Sequence, residues 1–300
     1  MPHIATYVFF DLETTGLPHL ERNRTKIIEL CFVATSRKEI EKCRYREIPP
    51  VSKITLVFNP QRPMQSKVVE LTGFTNKLLE HAPTFKQKTK SLVAFLEELE
   101  KPVCLVAHNG NIFDYKLLQT EFNEAGETLP RDLLCVDSII GFRKLLKGTT
   151  IDYKTLEVSP QRDEDLITDD EDEWPDINVS NEDWQEIDDI CLSLSDMSCE
   201  DIDENAKEEK GTKTSNEKIR KKKTEAIKRV MDKKPKPDKE SFALTALYKR
   251  LLNREEQNAH RAEADCFMLL YCVVAMKSDF LPWADDSCKK LTEIRPLERH

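Results

Sequence analysis

No apolar run in the sequence reaches the ~18 residues that a membrane span needs. The longest candidate, FMLLYCVVAM at 267–276, has the length of a buried helix. The start, MPHIATYVFF, has neither the basic opening nor the cleavage site of a secretory signal. The nine cysteines are odd in number and include no C-x-x-C pair, which argues against a disulfide frame and against a zinc site. Cys31, Cys104, Cys266 and Cys272 lie in apolar segments and read as small buried hydrophobes in a reducing compartment. These absences predict a soluble intracellular protein with no membrane span.

Positive charge is also scarce: 46 Lys and Arg stand against 55 Asp and Glu, for a net charge of −9. Taken whole, that figure speaks against a nucleic-acid partner, but the deficit is local. Residues 161–210 hold 21 acidic and 3 basic residues, while 211–240 hold 12 basic and 5 acidic ones. The rest of the chain is close to neutral, so the acidity belongs to one segment.

What is present has a readable order. Residues 4–12 (IATYVFFDL), 27–35 (IIELCFVAT) and 53–59 (KITLVFN) are aromatic and β-branched, with polar segments between them. They predict three strands in an antiparallel meander. TFKQKTKSLVAFLEELE (84–100) sets Leu92, Phe95, Leu96 and Leu99 on one helical stripe. PVCLVAHNG (102–110) predicts a buried strand ending at a turn, with a helix over 112–125, and LLCVDS (133–138) a last short strand with a helix after it. Helices are expected again at SFALTALYKRLL (241–252) and from near Arg261. The fold class is therefore α/β, a mixed five-stranded sheet with helices on its faces. From about Leu156 to Lys239 the periodicity fails, and 156–239 reads as a disordered insert, acidic and then basic. The ordered domain is split, 1–155 plus 240–295, followed by a tail at 296–300.

The first strand ends in FFDLETTGLP (9–18). In a strand, residues i and i+2 share a face, so Asp11 and Glu13 converge and repel unless a proton or cation lies between them. Asp114 opens the helix after LVAHNG, and Asp265 lies in the first turns of the helix after NAHRAEAD. Each alone is an ordinary surface charge, cap or helix-dipole acid. Together, in order, each at the edge of an element, they point to four converging carboxylates. Such a cluster calls for hard Mg²⁺ or Mn²⁺, which prefer oxygen ligands. Two ions about 3.5–4 Å apart would clamp the attacking and leaving oxygens of a phosphoryl displacement. His260, five residues before Asp265, is placed to take a proton from a metal-bound water. His108, in AHNG, is expected to pack or hydrogen-bond at its strand end.

These three segments resemble the motifs of the DEDD 3′–5′ exonucleases, in the branch with a histidine in the last motif, on a ribonuclease-H-like fold. Within that branch, FFDLETTGLP, ELTGF (70–74), CLVAHNGNIFDYKLLQTEF and AHRAEADCFMLL resemble the TREX family of DNA exonucleases. LPRDLLCVDS and FLPWADD extend the similarity. The resemblance implies metal ligands at Asp11, Glu13, Asp114 and Asp265, holding two Mg²⁺ per active site with Mn²⁺ able to substitute, and a catalytic His260. It implies substrate contacts at Glu13, Thr14, Leu17, Leu71, Phe113, His260 and Asp265. The implied activity is DNA hydrolysis from 3′ ends, releasing nucleoside 5′-monophosphates, in DNA repair or a related pathway. A homodimer joined through a sheet edge is implied too. Some members carry an arginine where this chain has Ile112, so single-stranded or frayed ends are expected in preference to duplex ends. The chain resembles the short, unanchored type, placed in the nucleus, the cytoplasm or both. Two alternatives stand beside this reading: an RNA exonuclease on the same fold, and a non-catalytic DNA-binding scaffold acting through the insert.

The basic run 218–239 reads three ways: as an arm that holds DNA phosphates, as a nuclear localisation signal, or as solvated disorder. The acidic half would then compete with DNA for that arm. Alternatively, Trp174, Trp184, Ile187, Ile190, Leu192 and Leu194 mark a segment that folds on contact with a protein partner.

Overall fold

Strand β1 (Thr6–Thr14) is apolar on both sides, and its alternation divides the core. Tyr7 and Phe9 enter one cluster of buried residues, while Val8, Phe10 and Leu12 enter another on the opposite face. A strand buried on both faces reads as a continuous hydrophobic run, as VFF does here. The computed structural model describes residues 3–147, 241–254 and 260–299. They belong to one compact unit, Met1–Pro160 with Glu240–His300. The insert expected at 156–239 lies outside the described residues.

β2 (Ile27–Ser36) pairs antiparallel with β1, and β3 (Ser52–Val57) antiparallel with β2. This is the meander that the sequence predicts. β4 (Val103–Ala107) lies parallel to β1 on its other side, and β5 (Leu134–Asp137) parallel to β4. The sheet has six strands among the described residues, not the five expected. The extra strand is β6 (Lys289–Lys290), which pairs antiparallel with Leu134 and Cys135 and completes the order β3-β2-β1-β4-β5-β6. Two lysines carry no alternation or β-branched signal, so only the partner strand makes this segment a strand.

Helices cover both faces. α3 (Phe85–Glu97) and α4 (Asp114–Ala125) pack on the side of Val8 and Phe10. The Tyr7 and Phe9 side is covered by α5 (Ser138–Leu146), α6 (Leu244–Leu252), α7 (Ala262–Ala275) and α8 (Lys277–Ser287), with Ile40 of the short α1 (Arg37–Lys42). α2 (Ser66–Thr72) stands apart, beside a small cluster of Ile28, Phe74 and Leu79. The helix expected at 241–252 starts at Leu244. α7 is apolar almost all round, as a fully buried helix must be. Its only acids, Glu263 and Asp265, fall in the first turn.

The start of α4 is pinned by Tyr115, whose buried hydroxyl accepts the Ala107 N–H at 2.9 Å and lies 2.6 Å from Val136 O and 3.0 Å from Leu105 O. Gly110 makes room for this ring, because a Cβ there would sit 2.7 Å from Tyr115 Cε2 and 2.6 Å from Ala107 Cβ. Tyr115→Phe strands the Ala107 N–H and a carbonyl in the core. It is expected to cost about 1–3 kcal/mol, read as a lower urea midpoint at unchanged slope.

Candidate active site

Asp11 and Glu13 share the face of Tyr7 and Phe9 at the carboxyl end of β1, and α7 packs on that face. One carboxylate oxygen from each of Asp11, Glu13 and Asp265 lies within 4.8 Å of the other two. Three of the four acids singled out in the sequence thus meet at one point. Asp114, buried as the first residue of α4, stands outside this trio. It is still near enough for its charge to act on Asp11 and Glu13.

The electrostatics are those of an uncompensated cluster. Burial, reinforced by the charges of Asp265, Asp114 and Glu13, pushes the Asp11 carboxyl well above its ordinary range. Glu13 rises to about 8 through burial and the charges of Asp265, Glu29 and Asp114, while Arg261 opposes the shift. Asp114 rises to about 8, again mainly through burial. Such groups are either protonated or share a cation. An oxygen-only donor set at this spacing fits a hard divalent ion, with Asp11, Glu13 and Asp265 as its holders and Asp114 beside them.

His260 adjoins the trio through its backbone. Its N–H donates to Asp265 Oδ2 at 3.1 Å, and the residue adopts a left-handed φ of 74°. The side chain is exposed, and its surroundings and the charge of Lys67 hold the imidazole below its usual value. A ring that is neutral near pH 7 is the form able to accept a proton.

Of the residues expected to touch substrate, Thr14 is buried and its hydroxyl donates to Gly16 O at 3.0 Å. Leu17 and Leu71 are exposed by 43% and 44%. The Thr15–Leu17 loop is tied to the start of α2, which carries Leu71, by a Gln65 N–H bond to Thr15 O. Phe113 is half-buried and packs against the Phe10 side of the core.

Two further acids organise the site and escaped the sequence reading. Glu29 lies opposite Glu13 across the β1–β2 pair and is 1% exposed. It accepts hydrogen bonds from Arg261 and from the Ala262 N–H. The signal was a lone acid inside IIELCFVAT, since an unpaired charge is not tolerated in such a strand. Asp137, at the end of β5, accepts from the N–H groups of Asn109, Asn111 and Ile139 at 2.9, 3.0 and 3.2 Å. It thereby caps α5 and holds the loop before Asp114, and its signal was an N-cap residue ahead of a helix. His108 hydrogen-bonds at its strand end, with Ser138 Oγ and Phe242 O, each at 2.9 Å. Burial drives its ring down to about 4.

A mixed sheet with an acidic cluster at the carboxyl end of its first strand is the arrangement that the resemblance to DEDD-type exonucleases implies. Residues 8–156 match the exonuclease family model. Within that class the chain is similar to the three prime repair exonucleases. It is 38% identical over 153 residues to human three prime repair exonuclease 2, covering 48% of this chain and 64% of that protein. It is 34% identical over 160 residues to human three-prime repair exonuclease 1, covering 49% and 50%. The match thus spans less than two thirds of these relatives. Among solved structures, the zinc-bound complex of E. coli ExoI with single-stranded DNA shares the fold at 15% identity and a TM-score of 0.51, over 94% of this chain and 43% of that one.

If repulsion strains the cation-free site, removing one charge relieves it. Asp11→Asn is expected to raise the melting temperature in EDTA, by about 2–4 °C per kcal/mol relieved. It should also shrink the further rise expected when a divalent cation is added to the unaltered chain. Scanning calorimetry with and without the cation checks both.

Proposed function

We propose that this chain is a divalent-metal-dependent 3′–5′ DNA exonuclease that releases nucleoside 5′-monophosphates. The single observation behind this reading is the meeting of Asp11, Glu13 and Asp265 within 4.8 Å in a half-buried site. The names of the three prime repair exonucleases, with which the chain shares 34–38% identity, support it. Mg²⁺ is the proposed ion, two per site, with Mn²⁺ able to substitute. When bound, the metal supplies positive charge that offsets the carboxylates and the charge developing on the phosphoryl oxygens.

The chain's own residues supply the rest. Asp11, Glu13, Asp114 and Asp265 hold the ions. His260 takes the proton of the water that attacks the terminal phosphodiester, and the bond to the 3′ oxygen of the neighbouring nucleotide breaks. Leu17 and Leu71, both exposed, lie against the last bases, with Thr14 and Phe113 lining the path of the terminal nucleotides. Ile112 offers no charge for prising a duplex apart, which favours single-stranded or frayed ends.

The proposed domain is split, 1–155 and 240–295, around an insert at 156–239, with a tail at 296–300. A homodimer through a sheet edge, a protein partner for the acidic half of the insert, a role in DNA repair, and a nuclear or cytoplasmic location complete the proposal. Among the described residues, no helix is long and apolar enough to cross a membrane.

Degradation of end-labelled single-stranded DNA, with an RNA of the same sequence alongside, tests the reading. EDTA should abolish cleavage, and His260→Ala should lower kcat by about 10²–10⁴, the range for a lost general base. Asp265→Asn should lower both activity and cation affinity. Full cleavage in EDTA would falsify the proposal, and faster loss of RNA than of DNA would reassign the substrate.

A further inference from the structure

Arg261 and Glu29 lie next to the trio and outside it. Glu13 and Glu29 face each other across an antiparallel pair, an arrangement that like charges disfavour. Glu29 is sealed in the core and answered from α7. Arg261 Nη2 meets Oε1 at 2.7 Å and Nε meets Oε2 at 3.1 Å, the two-pronged geometry that a planar guanidinium gives a carboxylate. The same Oε2 takes the Ala262 N–H at 2.9 Å. One buried carboxylate of β2 therefore holds the first residue of α7 by its backbone and the residue before it by its side chain. A negative group at a helix N-terminus is also favoured by the helix dipole. The guanidinium extends over the Phe74 ring, 4.6 Å from its centroid, beyond the α2 helix that carries Leu71.

The two groups that the chemistry needs from this region flank the clamp. His260 immediately precedes Arg261, and Asp265 follows Ala262 within one turn, its N–H bonded to Arg261 O at 3.0 Å. A shift of α7 along β2 would carry the Asp265 carboxylate away from Asp11 and Glu13.

We propose that Glu29 and Arg261 are positioning residues. They fix the first turn of α7 on β2, so that Asp265 meets Asp11 and Glu13 at cation-binding spacing. This rests on the metal-dependent reading above. Outer partners of metal ligands typically change affinity or activity by about 10–100-fold, and that is the size expected here. The two act as one unit, so their effects should not add.

The test uses the full chain and Mn²⁺ titration followed by electron paramagnetic resonance, which needs no turnover, together with steady-state kinetics and melting temperatures. Glu29→Gln and Arg261→Met should each weaken Mn²⁺ binding and lower kcat by about 10–100-fold, with KM for a single-stranded oligonucleotide unchanged within about twofold. The double variant should be no worse than the worse single. Arg261→Lys, which keeps the charge but not the fork, should recover only part. It decides the matter if Glu29→Gln fails to fold, because Arg261 is half exposed. Folded variants that bind Mn²⁺ like the unaltered chain, or single effects that multiply, would overturn the clamp. A rise in KM alone would make Arg261 a substrate contact instead. An unaltered chain that binds no Mn²⁺ would overturn the metal site itself, a result distinct from all of these.

Discussion

Repulsion among half-buried carboxylates is the constraint around which this fold is arranged. Asp11 and Glu13 sit at the end of a strand buried on both faces, where little water screens them. A peripheral strand would relieve such strain by bending away. β1 is central, locked antiparallel to β2 over its whole length and parallel to β4 on the other side. Packing of Val8, Phe9 and Phe10 on both faces supplies the stability that the charged end draws upon. Topology does the gathering. β1, β4 and β5 run parallel, so their carboxyl ends, and the loops leaving them, lie at one edge of the sheet. Asp11 and Glu13 lie at the first of those ends, Asp114 follows the second and Asp137 closes the third. Asp265 comes from a helix rather than a strand.

That last contribution makes the site depend on both parts of the sequence. α6 and α7 belong to the same core cluster as Tyr7 and Phe9, although more than 200 residues separate them in the chain. The point of re-entry is tied down too, since His108, at the end of β4, bonds to Phe242 O. Neither half alone presents the trio. The meeting of the acidic trio and the packing of α7 onto β1 and β2 are therefore one event.

Much of this was readable from residue order. The meander, the buried helix and the three acidic segments all rest on strong local signals: β-branched runs, an unbroken apolar stretch, and acids at element ends. The parts that were not readable lacked such signals. Lys289–Lys290 becomes a strand only because β5 offers it an edge. α1 has six residues, too few to show a period. α8 carries Pro282 inside it, a residue that normally argues for a boundary, yet the helix continues through it. Asp114, expected beside the other three acids, lies outside the closest trio yet near enough for its charge to act on Asp11 and Glu13.

The hardest distinction concerned the acids themselves. Asp11 and Glu29 are both carboxylates on central strands, and residue type alone does not say which of them is compensated within the protein. Their partners do. Glu29 is met by a guanidinium and a backbone N–H, and Asp137 by three backbone N–H groups that oppose the rise its burial imposes. Those two acids are compensated within the protein and can serve as anchors. Asp11 meets mainly other acids, which raise its proton affinity further, and so it is left to be compensated from outside. The anchors stand on β2 and at the end of β5, on either side of the β1 and β4 ends. Each holds the backbone next to one of the other acids, Glu29 beside Asp265 and Asp137 beside Asp114. A cluster that repels itself can keep a fixed geometry only if such satisfied charges hold its members from behind.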